Sequence, residues 1–102
     1  MGINKQVSED GCSVNIEIVD RFDFSLHQTF RESYIQSDKK TTKFVIDLSK
    51  TTYMDSSALG MVLLLKDYAE SISAEVILFK PSDTVYKILQ IAQFHRLLTI
   101  ES

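Results

Sequence analysis

Two adjacent hydroxyl side chains, Ser56 and Ser57, follow Asp55 at the predicted start of a helix. Aspartate is a good N-cap residue, so both serines would occupy the first turn. Backbone N–H groups there lack intrahelical partners and carry a partial positive charge. A phosphate on either hydroxyl would therefore meet favourable donors, which indicates a switch that can be set without unfolding the protein. The competing interpretation is that the serines only help the helix to begin.

A serine hydrolase is the enzymatic alternative, and the sequence does not favour it. Such an enzyme needs a base and an oxyanion hole, and the G-x-S-x-G motif is absent. His27 and His95 are predicted to lie on the surface, and no spacing identifies either one as a base. Two separated histidines and the single Cys12 form no cluster of metal ligands. We therefore predict no catalytic site, no metal and no cofactor on this chain.

The composition predicts one soluble, cytoplasmic domain covering residues 1–102. The net charge of −3 gives no sign of a surface for nucleic acid or anionic lipid. No apolar run approaches the roughly 20 residues that cross a bilayer, and the N-terminus lacks a secretory apolar core. A single cysteine excludes an internal disulfide. We expect no nucleic-acid partner and no direct membrane insertion.

The pattern of apolar residues predicts an α/β domain in which helices pack against a mixed sheet. Alternation over residues 14–18 predicts a half-buried strand, preceded by a strand near 4–8 and a turn at Asp10-Gly11. Continuous apolar runs predict further strands at 43–48 and 75–79. A helix from 56 to about 71 would join these two strands, which makes them a parallel pair.

Two further helices and one short element complete the prediction. Ser25 followed by Gln28 is a capping-box pattern, which predicts a first helix to about residue 37. Pro81-Ser82 is predicted to start the last helix. Residues 97–100 would form either a short final strand or a tail.

The helix beginning at Ser56 has a polar face that also carries leucines. Gly60 shares this face with the serines, and Leu63 and Leu64 fall on or beside it. These leucines could form a second packing contact within the domain. They could also form a partner-docking surface that includes the serines, where Gly60 would leave room for close approach. The pattern leaves both interpretations open.

The segment from Asp47-Leu48-Ser49 through Met54-Asp55-Ser56-Ser57-Ala58-Leu59-Gly60 resembles the signature of the STAS domain, the sulfate transporter and anti-sigma factor antagonist family. The similarity extends back to Arg21-Phe22-Asp23-Phe24 and forward to residues 76–79 and 85–89, so it covers nearly the whole chain. The short, stand-alone form resembles the bacterial anti-sigma factor antagonists rather than the membrane transporters. This resemblance implies a mixed β-sheet packed by helices.

The resemblance also implies a partner-switching function and no enzymatic activity. In the family the serine directly after the aspartate is phosphorylated, which is Ser56 here, with Ser57 as the neighbouring candidate. The unphosphorylated protein would bind a serine kinase or anti-sigma factor of histidine-kinase-like ATPase fold, and phosphorylation would release it. A PP2C-type serine phosphatase would restore binding. Nucleotide and Mg²⁺ would belong to the kinase.

The expected partner-binding surface combines the helix start with one neighbouring segment. It comprises Asp55, Ser56, Ser57, Gly60 and Leu64, and the resemblance adds Asp23. A constitutive STAS scaffold, such as a subunit of a lipid transporter or a stress-sensing complex, is the alternative function, and the complete Asp-Ser-Ser motif favours the switch over it. Asp20 departs from the family, where a glycine often precedes the Arg-x-Asp segment, so the loop is expected to differ there.

Overall fold

The computed structural model describes residues 2–35 and 40–102, which form a mixed five-stranded sheet, a two-stranded sheet and flanking helices. This confirms the predicted α/β class. The strands are β1 (Ile3–Val7), β2 (Ser13–Ile18), β3 (Asp20–Phe22), β4 (Lys43–Asp47), β5 (Thr51–Met54), β6 (Glu75–Phe79) and β7 (Thr99–Glu101). The α-helices are α1 (His27–Glu32), α2 (Ser56–Ser71) and α3 (Asp83–Ile91), and short 3₁₀ helices cover Phe24–Leu26 and Phe94–Arg96.

The main sheet has the strand order β1-β2-β4-β6-β7. The hairpin between β1 and β2 is antiparallel, and Gly11 adopts a φ of +76° in its turn. The other neighbouring strands are parallel. Helix α2 joins the parallel strands β4 and β6, as the apolar runs predict, and β7 forms the short final strand.

One face of the main sheet forms the core with the helices. Alternate residues of β2 and β4 are buried on it, and α2 contributes a stripe of apolar side chains. The buried residues of α2 are Ala58, Met61, Val62, Leu65 and Ala69. All five recur at helical spacing on one face of α2. Among the described residues, no helix is long and apolar enough to cross a membrane.

The two-stranded sheet of β3 and β5 is absent from the prediction, and it is the element that positions the candidate site. Phe22 pairs with Met54 in this parallel ladder, and both side chains are buried. The Thr51 hydroxyl anchors the ladder by donating to the backbone carbonyl of Ile18 at 2.8 Å. Both strands therefore end at the same edge, and each leads directly into a helix.

The first helix is shorter than predicted and begins differently. The chain enters a 3₁₀ turn at Phe24 and is α-helical only over His27–Glu32. Ser25 is not the N-cap, because the Asp23 carboxylate accepts a hydrogen bond from its backbone N–H. The Gln28 side chain donates to Glu32 instead of reaching back toward the helix start. The capping-box prediction is therefore wrong, and the predicted helix end near residue 37 lies outside the described residues.

Candidate phosphoacceptor site and docking face

Asp55 caps α2 and fixes the position of the two serines. Its backbone is extended, with φ −97° and ψ −177°, and its carboxylate accepts a hydrogen bond from the Ala58 N–H at 2.9 Å. Helix α2 then begins at Ser56, as the sequence predicts. Ser56 is exposed, whereas Ser57 is half-buried. The Ser56 hydroxyl is therefore the more accessible of the two.

The parallel ladder brings Asp23 beside the start of α2. Phe22 and Met54 pair in register, so Asp23 and Asp55 are the next residues at two adjoining strand ends. The Asp55 N–H also donates to the Phe22 carbonyl at 3.3 Å, which joins the two ends directly. Two carboxylates thus lie at the edge from which Ser56 begins its helix.

The Asp23 carboxylate is held by groups of its own segment. The Ser25 hydroxyl and backbone N–H both donate to it, and Arg21 lies 3.5 Å away. These contacts, the Ser25 hydroxyl above all, keep the pKa of Asp23 below its usual value. Asp23 therefore stays charged at neutral pH, and its first task is to shape the turn before α1.

Ser56, Gly60 and Leu64 form a single exposed stripe along α2, which we call the Ser56 stripe. Residues four apart share one side of a helix, so the stripe runs about two turns from the serine. Gly60 is open: apart from its own helix backbone and chain neighbours, no heavy atom of the described residues lies within 4 Å of the position a Cβ would take. Leu64 is 56% exposed, whereas Leu63 packs partly against the core. The two leucines therefore divide the two interpretations: Leu63 serves internal packing, and Leu64 is available to a partner.

Two aromatic residues near this edge were not anticipated from the sequence. Phe24 is 65% exposed and stacks on His27 with ring centroids 5.2 Å apart. Tyr53 is half-exposed beneath the Arg21 guanidinium, which lies 4.9 Å from its ring centroid. The only sequence signal for Phe24 is its place two residues after Phe22, and a strand would have buried both. The 3₁₀ turn starting at Phe24 breaks that alternation and leaves its ring outside.

His27 stacks on Phe24 beside this edge, whereas His95 and Cys12 belong to other segments of the chain. Both histidines are exposed, and Cys12 is half-buried immediately before β2. Within residues 2–35 and 40–102, no group of three or more His, Cys, Asp or Glu side chains could hold a metal ion.

Comparison with known proteins agrees with this architecture. Residues 4–102 match the STAS domain. A STAS-domain containing protein of Pseudomonas aeruginosa (strain UCBPP-PA14) is 44% identical over 100 residues, which cover 98% of this chain and 99% of that protein.

Solved structures with low sequence identity share the fold. The unphosphorylated form of the anti-sigma factor antagonist SpoIIAA has a TM-score of 0.74 at 20% identity and covers 98% of this chain and 87% of its own. The phosphorylated form of SpoIIAA from Bacillus has a TM-score of 0.69 at 19% identity, and the match covers 98% of this chain and 91% of that one. A putative anti-sigma factor antagonist from Thermotoga maritima has a TM-score of 0.82 at 15% identity, and the match covers 98% of this chain and 86% of that one. This chain belongs to the STAS domain family, and its fold is that of the anti-sigma factor antagonists.

Proposed function

We propose that this protein is a phosphorylation-controlled partner switch. Unphosphorylated, it binds a serine kinase or anti-sigma factor of histidine-kinase-like ATPase fold, and phosphorylation of Ser56 releases that partner. A PP2C-type serine phosphatase returns the protein to its binding state. The observation that carries this proposal is the exposed Ser56 hydroxyl at the first residue of α2, in line with Gly60 and Leu64.

The helix start can accept a phosphate without rearrangement. Within the described chain, the Ala58 N–H bonds to the Asp55 carboxylate and the Leu59 N–H bonds to the Asp55 carbonyl. The N–H groups of Ser56 and Ser57 are the first-turn donors that these bonds leave open. A phosphoserine at residue 56 adds about −1.5 to −2 charge and three acceptor oxygens, which suit these donors and the helix dipole.

The same charge is unfavourable to a bound partner. A phosphate at Ser56 would add to the two carboxylates, Asp23 and Asp55, at the same edge. A partner covering this edge would have to desolvate all of that charge or supply cations for it. Dissociation of the complex therefore follows from electrostatics at the interface, with no change of fold.

The phosphoryl transfer itself is assigned to the partner. The carboxylate that precedes Ser56 in the chain, that of Asp55, already accepts the Ala58 hydrogen bond as a helix cap. Ser56 therefore acts as a substrate hydroxyl, and the kinase supplies the base, the nucleotide and Mg²⁺. SpoIIAA, which shares the fold, is known in phosphorylated and unphosphorylated forms. This supports the proposal that the present protein is also a substrate for phosphorylation.

The test is phosphosite mapping combined with a matched pair of variants. The purified protein is incubated with its cognate kinase and ATP, and the modified residue is located by mass spectrometry. We expect phosphate on Ser56, a Ser56→Ala variant that stays bound in the presence of ATP, and a Ser57→Ala control that still dissociates. Phosphate found only on Ser57 or elsewhere would overturn the Ser56 assignment. A native protein that carries no phosphate and binds its partner constitutively would favour a scaffold.

A further inference from the structure

A groove of about 360 Å³ lies between α1 and α2, with Leu64 in its wall. Phe30 of α1 and Met61 of α2 also line the groove. The volume falls at the lower end of the range for small-molecule sites, roughly 300–1,000 Å³. Because Leu64 belongs to both, one side of the groove is continuous with the Ser56 stripe. Its apolar part is formed by side chains such as Phe30 and Met61.

Tyr34 lines this groove and has a buried, unpartnered hydroxyl. Its side chain is 4% exposed, and its ring packs against Phe30, Phe44 and Tyr68 at centroid distances of 5.7, 6.5 and 5.3 Å. Among the described residues, the hydroxyl makes no hydrogen bond. Burial raises the pKa of Tyr34, so the group stays protonated and is a hydrogen-bond donor. Buried hydroxyls are normally paired, so a donor left open in a groove wall indicates a missing acceptor.

Arg31 supplies a second donor at the same groove. Its side chain lies in the groove lining, is exposed, and forms no ion pair with any other described residue. Its charge partly offsets the rise in the pKa of Tyr34, and both side chains line the same groove. Of the described residues, none that lines the groove is a carboxylate. The polar part of the groove is therefore positive and rich in donors, and an anionic acceptor would complement it.

We propose that the groove between α1 and α2 binds a small aliphatic carboxylate of medium chain length. Its carboxylate would accept hydrogen bonds from Tyr34 and Arg31, and its chain would pack on Phe30, Met61 and Leu64. A slender free acid fits because Tyr34 is almost fully enclosed. The consequence for partner binding rests on the proposed function: a chain lying on Leu64 would compete with a partner that docks on the Ser56 stripe.

Calorimetric titration with decanoate below its aggregation concentration tests the binding site. Decanol is the control of equal length without charge, and acetate is the control without an apolar chain. We expect saturable, one-site binding of decanoate alone. Arg31→Gln should weaken it about tenfold or more, as expected for losing a charged hydrogen bond. Arg96→Gln, on the 3₁₀ helix after α3 and outside this groove, is the matched control and should bind as the wild type does.

Tyr34→Phe separates ligand binding from structural support. Removing an unpaired hydroxyl should leave the Tm of the ligand-free protein unchanged or raised, while the decanoate affinity falls about tenfold. A lower Tm in the ligand-free variant would show that the hydroxyl serves the fold, and would overturn its role as an open donor. Equal binding of decanol, or unchanged affinity in Arg31→Gln, would overturn the carboxylate site.

A competition experiment separates this proposal from the partner switch. Kinase affinity is measured with and without saturating decanoate. A drop supports competition at Leu64, and an unchanged affinity removes the regulatory consequence while the binding site stands. If decanoate binds as described but Ser56 is never phosphorylated, the partner switch fails and the groove site does not.

Discussion

At the scale of single residues, Asp55 has a structural role, and the proposed function adds a role in partner binding. Its carboxylate caps α2 through Ala58 and lies immediately before the candidate phosphoacceptor. Asp55→Ala should lower the free energy of unfolding by about 0.5–2 kcal/mol, because the cap is lost. Asp55→Asn should nearly preserve it, since asparagine caps equally well. Urea unfolding of both variants checks this, and equal losses in the two would show that the charge, not the cap, stabilises the helix.

Asp20 is a second residue whose effect can be predicted from its backbone alone. It adopts a φ of +66° at the bulge that begins β3, and its N–H donates to the Lys50 carbonyl at 2.9 Å. Glycine adopts this conformation without strain, so the backbone here would suit the glycine that the family resemblance implies. Aspartate can also adopt this left-handed conformation, so having Asp20 in place of glycine changes the side chain and does not require another backbone conformation.

The effect of a substitution at Asp20 on the free energy of unfolding should depend on how readily the new residue adopts a left-handed backbone conformation. Asp20→Gly is expected to change the free energy of unfolding by no more than about 1 kcal/mol, and a β-branched residue, as in Asp20→Val, should lower it by about 1–2 kcal/mol. Thermal melting of the two variants provides the comparison. A valine variant as stable as the wild type would show that the loop relaxes to another conformation.

At the scale of elements, local patterns predicted α2 and β6 to the residue. Helix α2 has both a strong cap at Asp55 and a continuous apolar stripe, and β6 is a compact apolar run. The pair β3 and β5 could not be predicted in this way. These strands have three and four residues, and each finds its partner about thirty residues away, as Phe22 does with Met54. Such pairing depends on tertiary context, which a local pattern does not contain.

The consequence for the candidate site is specific. The sequence motif alone identifies Ser56, Gly60 and the capping aspartate, because these follow from one helix. The proximity of Asp23 to Asp55 depends on the pairing of β3 with β5, which the sequence pattern does not predict. From the sequence, Asp23 is a candidate only through the family resemblance. The groove beside Leu64 could not be predicted from the sequence either, because its shape depends on the length and position of α1.

Gly60 offers a test that separates helix stability from partner binding. It lies inside α2 with nothing near its missing Cβ, so Gly60→Ala should raise the free energy of unfolding by about 0.5–1 kcal/mol. The added methyl group stands on the Ser56 stripe and should weaken kinase binding if the partner approaches closely there. Chemical denaturation and a binding titration measure the two effects separately. A stabilised variant with unchanged affinity would place the interface away from Gly60.

Leu64 and Leu65 form a matched pair on the same helix. Leu64 is 56% exposed, so Leu64→Ala should leave the free energy of unfolding within about 1 kcal/mol and weaken kinase binding. Leu65 is fully buried, so Leu65→Ala should cost about 2–5 kcal/mol through the cavity it leaves. Thermal melting and kinase titration are run on both variants. Unchanged affinity in a folded Leu64→Ala protein would remove this residue from the docking surface.

At the scale of the whole molecule, the candidate site rests on buried residues of the core. Phe22 and Met54 hold the ladder beneath it, and Ala58 is fully buried one residue after the serine pair. The candidate site therefore combines an exposed serine with a buried support. A charge added at Ser56 meets solvent and open N–H groups, and it leaves core packing unchanged.

Phosphorylation should for this reason leave the fold intact. The modified and unmodified proteins are expected to have the same far-ultraviolet circular dichroism, and their melting temperatures should differ by only a few degrees. A phosphate near a helix N-terminus is worth about 0.3–1 kcal/mol of favourable dipole interaction, so any shift should be small and upward. Ser56→Asp should follow the same direction more weakly, since it carries one charge and fewer acceptor oxygens. Loss of helical signal on phosphorylation would contradict a local electrostatic mechanism and require release of the partner through unfolding of α2.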